Sequence, residues 1–120
     1  MEKSEKFYIN KREHNDIIIL ELNGYLDAHT SPIFEKELES IIEKKFYKII
    51  INFKNLDYIS SAGLGVFMGY IENVRNNNGD IKLTEMNSKI FSVFDLLGFP
   101  ALFDIDNTES DSIKKFENKR

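Results

Sequence analysis

Two apolar runs constrain this chain more than any other feature. Residues 17–22 read IIILEL and residues 47–53 read YKIIINF. A strand with one wet face alternates apolar and polar side chains. These runs are too continuously apolar for that, so each is expected to be an inner strand covered on both faces. Between them Phe34, Leu38, Ile41 and Ile42 recur at helical spacing and form one apolar face. Ser31 is placed to cap that helix, with Pro32 at its first position, where a missing N–H costs nothing. A strand–helix–strand unit joins parallel neighbours by a right-handed crossover, which makes the core of the fold α/β.

The remaining elements fit around this unit. Phe7 and Ile9 alternate with polar residues and predict a half-exposed first strand, turned back at His14-Asn15-Asp16 to pair antiparallel with 17–22. Asn23-Gly24 reads as a bend into a loop, because the run after it is too short to return as a strand. A second helix is expected from Ala62 to about Asn77, ended by NNNG, followed by a shorter alternating strand, DIKLTE, at 80–85. Asn87-Ser88 caps a third helix with Ile90, Val93, Phe94 and Leu97 on its apolar face. Gly98 is placed to end it in the left-handed conformation, with Pro100 just beyond. Residues 101–106 read as a short edge strand. Thr108 and Asp111 resemble a capping box before Ile113 and Phe116 in a last short helix, and the KKFENKR end is expected to fray. The expectation is one domain over residues 1–120, with its core at about 7–106. Its sheet is small, mixed and mostly parallel, with four to five strands and helices mainly on one side.

Composition narrows the function. Of 120 residues, 42% are hydrophobic and 30% charged, the balance of a globular chain able to bury one core. Cysteine is absent, which removes disulfides, zinc–thiolate sites and thiol nucleophiles and agrees with a reducing cytoplasm. His14 and His29 do not form a metal-ligand spacing. The net charge of −4, with no basic stripe, argues against nucleic acid. No apolar stretch reaches the roughly 20 residues that span a membrane. The N-terminal MEKSEKFYINK has no apolar segment or cleavage site of a secretory signal. No G-x-x-x-x-G-K loop supports a nucleotide, and no cofactor is expected.

Strands running in parallel send their following loops to one edge of the sheet, where open α/β folds usually bind ligands. Asp27-Ala28-His29-Thr30, Ser60-Ser61 and Asn87-Ser88 are therefore expected on a common rim. The stretch DYISSAGLGVF, residues 57–67, is its most unusual part. One serine suffices to cap a helix, and here there are two. Gly63, Gly65 and Gly69 follow, each costing about 0.8–1 kcal/mol relative to alanine inside a helix. A helical wheel puts Leu64, Phe67, Met68, Ile71 and Val74 toward the core and Ala62, Val66, Gly69 and Asn73 on the outer side. That bare stripe suits another protein lying against the helix. The glycines equally suit a neighbouring helix of the same domain. A phosphate on a serine at this N-terminus would bring about −1.5 to −2 charges to the positive end of the helix dipole.

At these residues the chain resembles the bacterial anti-sigma factor antagonists, the STAS domains. The resemblance rests on NGYLDAHTSPIFEKEL, KIIINFKNLDYISSAGLGVFMG and VFDLLGFPALFDI, in order and spanning nearly the whole chain. It implies a protein that binds an anti-sigma factor, itself a serine kinase, and so frees a sigma factor. The kinase phosphorylates a serine at this helix start and breaks the complex, and a phosphatase restores it. Aligned on Gly63-Leu64, the accepting serine is Ser61. Ser60 stands where the family often carries aspartate and is the second choice. Asp27 matches an acidic family position near the site.

The leading reading is thus a cytoplasmic protein-binding switch without catalysis, whose partner contacts are Asp27, His29, Thr30, Ser60, Ser61, Ala62, Gly63, Val66, Gly69 and Asn73. It takes no metal and could pair with itself through its first strand or outer helix stripe. A STAS scaffold or accessory subunit of a signalling assembly or lipid-transport complex is the alternative. An enzyme using Ser60 or Ser61 as nucleophile, with His29 as base, lacks the G-x-S-x-G elbow.

Overall fold

The computed structural model describes residues 7–118. The expectation about a signal sequence falls partly on residues 1–6, outside that range. The chain opens as a hairpin, β1 (Phe7–His14) and β2 (Ile17–Leu26), joined at Asn15-Asp16 with Asn15 left-handed at φ 57°. Then follow α1 (Ser31–Glu43), β3 (Lys48–Ile59), α2 (Ser61–Asn76), β4 (Asp80–Thr84) and α3 (Ser88–Leu96). A 3-10 turn at Phe99–Ala101, β5 (Ile105–Asp106) and α4 (Glu109–Glu117) follow. The sheet order is β1-β2-β3-β4-β5, with β1 antiparallel to β2 and the other pairs parallel. The mixed, mostly parallel α/β sheet expected from the apolar runs is the one observed.

Both faces of the central strands are covered, for the reason their composition indicates. Ile18 and Leu20 of β2 and Ile49, Ile51 and Phe53 of β3 enter the main core with α1, α2 and α3. Phe67 of α2 sits at its centre, with ring centroids 5.1 Å from Phe34, 5.9 Å from Phe53 and 5.9 Å from Phe94. On the opposite face Ile17, Ile19 and Ile50 meet Phe116 of α4. α4 also explains why β4 does not alternate: Lys82 and Thr84 are buried, with Lys82 Nζ 4.8 Å from the Phe116 ring and paired with Asp80 and Asp104.

Several boundaries differ from expectation. Asn23-Gly24 is no bend into a loop; β2 runs on to Leu26, with Gly24 at φ 95° and register irregularities on either side of the pair. β3 is correspondingly long. Ser31 is not the cap of α1: that position is Thr30, and Pro32 lies in the first turn. Leu97 is exposed rather than in the core. Of the expected edge strand, only Ile105–Asp106 pairs. Lys114–Glu117 are helical rather than frayed, while residues 119–120 lie outside the described range. Asn87 caps α3 through Oδ1, which accepts from Ile90 N–H at 2.8 Å. Gly98 is left-handed at φ 79°, and Thr108 caps α4, both as read from sequence.

Candidate functional site

The carboxyl edge of the sheet is stepped. β2 and β3 pair as far as Leu26 and Ile59, whereas β3 and β4 part at Asn52 and Thr84. The segments after β2 and β3 therefore meet on the upper step. Asn87 and Ser88 follow β4, whose pairing with β3 stops at the lower step. Among the described residues no hydrogen bond ties them to the other two segments.

The upper step is assembled mostly from backbone. Ser60 N–H donates to Leu26 C=O at 2.9 Å, and Leu64 N–H donates to Ser60 C=O at 3.1 Å, the first turn of α2. Ser60 holds the N-cap position with extended φ −106°, ψ 174°, yet its side chain makes no cap bond. Its Oγ is buried, with no hydrogen-bond partner among the described residues. Ser60 thus holds the cap position through its backbone alone, with the hydroxyl turned inward. Ser61, the first helical residue, is exposed. No hydrogen bond among the described residues engages its hydroxyl.

Beyond the Leu26 carbonyl that Ser60 N–H meets, Asp27 organises the turn from β2 into α1. Its Oδ1 accepts from His29 N–H at 3.0 Å and Thr30 N–H at 3.1 Å, and its carbonyl accepts from Ser31 N–H at 2.8 Å. Thr30 Oγ1 donates to Tyr25 C=O at 2.8 Å and accepts from Asp27 N–H at 3.0 Å. Asp27 is half-buried, His29 is exposed and Thr30 is buried. His29 shares no hydrogen bond with either serine among the described residues.

The outer stripe of α2 needs rephasing. Val66 is 5% exposed and Gly63 is also buried, whereas Met68, expected in the core, is 48% exposed. Position 63 abuts Leu26 and Ile59, so this glycine serves packing within the domain. Gly65 and Gly69 face open space. The outward face runs through Ala62, Gly65, Met68, Gly69, Glu72 and Asn73. The helical wheel puts Met68 inward and Val66 outward, and the structure turns Val66 inward instead. The charge of Glu72, one turn beyond Met68, was the available signal. Sequence reasoning also passed over Tyr25 and Tyr58, paired across β2 and β3 with rings 5.9 Å apart, both largely exposed beside Asp27 and Ser60.

The site carries little built charge. The first turn of α2 has no acidic residue, so its amide dipoles face the rim unopposed by a side chain of their own helix. Among the described residues, no group of three or more His, Asp or Glu side chains could hold a metal, and no helix is long and apolar enough to cross a membrane. The arrangement offers one accessible hydroxyl at a helix N-terminus beside a smooth helical face.

A five-stranded mixed sheet with this helix start defines a recognisable class of protein. The sequence model of the STAS domain matches residues 8–112, and the chain belongs to that family. It is 26% identical over 110 residues to the anti-sigma F factor antagonist of Paenibacillus polymyxa, covering 91% of this chain and 94% of that protein. It is 30% identical over 95 residues to the anti-sigma-B factor antagonist of Bacillus subtilis strain 168, covering 79% of this chain and 85% of the relative. The fold also matches the solved structure of the Bacillus cell fate determinant SpoIIAA in its phosphorylated form. That likeness has a TM-score of 0.70 at 22% identity, over 92% of this chain and 98% of that one.

Proposed function

We propose that this chain is an anti-sigma factor antagonist switched by phosphorylation of Ser61. It docks on an anti-sigma factor that is also a serine kinase, through the rim and the outward face of α2, and so releases a sigma factor in the cytoplasm. The kinase then turns it off. Ser61 Oγ attacks the γ-phosphorus of ATP, the bond to the ADP oxygen breaks, and the hydroxyl proton passes to a base on the kinase. A phosphatase reverses the modification, and the chain performs no catalysis of its own.

The observation that carries this reading is the contrast between the serines: Ser61 is exposed and Ser60 Oγ is buried. A kinase can reach only a hydroxyl that solvent reaches. The names of the relatives support the partner class, and the phosphorylated form of SpoIIAA supports the modification. A phosphate on Ser61 adds about −1.5 to −2 charges. That is compatible with the helix dipole, yet it changes the charge and shape that a docked partner meets.

Binding to the kinase tests the switch. Ser61→Ala is expected to bind as wild type, and Ser61→Glu to bind at least about tenfold more weakly, a loss near 1.4 kcal/mol. Equal affinity of the two variants would leave a binding module with no switch at Ser61.

A further inference from the structure

We propose that Asp27 and Thr30 are positioning residues for the Ser61 hydroxyl, acting through the peptide unit between Leu26 and Asp27. The inference rests on Ser61 being the phosphate acceptor. That peptide unit is planar, so its carbonyl and amide orient together. Its C=O accepts from Ser60 N–H at 2.9 Å, and its N–H donates to Thr30 Oγ1 at 3.0 Å. One rigid plane thus joins the turn after β2 to the residue immediately before Ser61.

The turn end of the plane is fixed by a closed set of bonds. Thr30 Oγ1 has one proton and two acceptors in reach, Tyr25 C=O at 2.8 Å and Asp27 Oδ1 at 3.3 Å; given to either, it leaves lone pairs for the amide of Asp27 at 3.0 Å. The Asp27 carboxylate holds Thr30 in reach by accepting its backbone N–H at 3.1 Å, together with that of His29 at 3.0 Å. Thr30 is buried, so water competes poorly for these bonds. At the other end, the Leu26 side chain lies directly under Gly63 in the first turn of α2. Among the described residues, no side-chain bond holds the Ser61 hydroxyl. Its place is set by Ser60 on one side and Gly63 on the other, and both rest on Leu26.

A nucleophile displaced by about 1 Å loses on the order of 10²-fold in rate. The turn therefore acts on the transfer step rather than on encounter with the kinase. Asp27→Asn separates this role from recognition of the carboxylate charge, because the amide oxygen can still accept from the two backbone N–H groups.

The test compares Asp27→Ala, Asp27→Asn, Thr30→Val and Thr30→Ser with wild type. The anti-sigma factor kinase and ATP give kcat and KM; amide hydrogen exchange of the free protein reports on Ser60 N–H. Asp27→Ala and Thr30→Val are expected to lower kcat about tenfold or more with KM within about threefold of wild type. Their Ser60 amide should exchange about tenfold faster. Asp27→Asn and Thr30→Ser should restore both quantities to within about threefold of wild type. An Asn variant as impaired as the Ala variant would show that the charge is read, and would overturn the inference. So would unchanged kcat, or unchanged Ser60 exchange, in both Asp27→Ala and Thr30→Val. If wild type takes no phosphate, the proposed switch fails, and exchange at Ser60 alone still decides whether the turn holds the start of α2.

Discussion

Gly63 rests on Leu26 so closely that a β-carbon at position 63 would lie 2.8 Å from Leu26 Cγ and 3.1 Å from Ile59 Cγ1. Leu26 is fully buried and ends β2, so it has little room to retreat. Gly63→Ala is expected to cost about 1–3 kcal/mol, the usual range for overpacking, despite alanine's better helix propensity. Urea denaturation checks this. A variant as stable as wild type would mean that the close approach is not required.

Gly65 and Gly69 predict the opposite sign. Nothing lies within 4 Å of a β-carbon at either position. Gly65→Ala and Gly69→Ala should each raise stability by up to about 0.8–1 kcal/mol through helix propensity alone. If a partner lies along this face, the same methyl groups should weaken its binding. Higher melting temperature with lower affinity is the expected pair of results; unchanged affinity in both variants would remove this face from the interface.

Ser60→Ala removes a buried hydroxyl that has no hydrogen-bond partner among the described residues. A serine that caps a helix costs about 1 kcal/mol when replaced by alanine. Here no cap bond is lost, and a desolvated, unpaired group is removed. Stability is expected to stay within about 0.5 kcal/mol of wild type or to rise, as read by thermal or urea unfolding. A loss near 1 kcal/mol or more would show that the hydroxyl caps α2 in solution.

Acid should loosen the face that α4 covers. Arg12 donates to Glu109 at 2.9 and 2.8 Å and Asn52 donates to it at 2.8 Å, which holds this carboxyl below its ordinary value of 4.5. Lys82 holds Asp104 below 3.8 in the same way. In the unfolded chain both titrate at their ordinary values. As pH falls through that interval, the unfolded state binds more protons than the folded one, and stability falls. The contribution is complete above about pH 5 and lost as pH drops through the lowered folded values. Glu109→Gln should therefore lower the melting temperature near neutral pH and narrow its difference from wild type in acid. A difference independent of pH would contradict this.

Much of the architecture is legible in the sequence because burial writes itself into strand composition. IIILEL and YKIIINF require cover on both faces, and α4 supplies the second cover through Phe116. Caps such as Asn87 and Thr108 are legible for the same local reason. What escapes local reading depends on partners distant in the chain. Asn23-Gly24 stays in the ladder because Phe7 and Leu56 lie beside Gly24. Val66 and Met68 exchange places because the packing of α2 on the sheet, not its own periodicity, sets its rotation. The inward turn of Ser60 Oγ has no sequence signal at all, and the choice between the two serines depends on it.

Peptide mapping after incubation with the anti-sigma factor kinase and ATP tests the central claim most directly, on wild type, Ser60→Ala and Ser61→Ala. The account predicts one phosphate on Ser61 in wild type and in Ser60→Ala, and none in Ser61→Ala. Phosphate on Ser60, phosphate persisting in Ser61→Ala, or none in wild type while the kinase remains bound would contradict it.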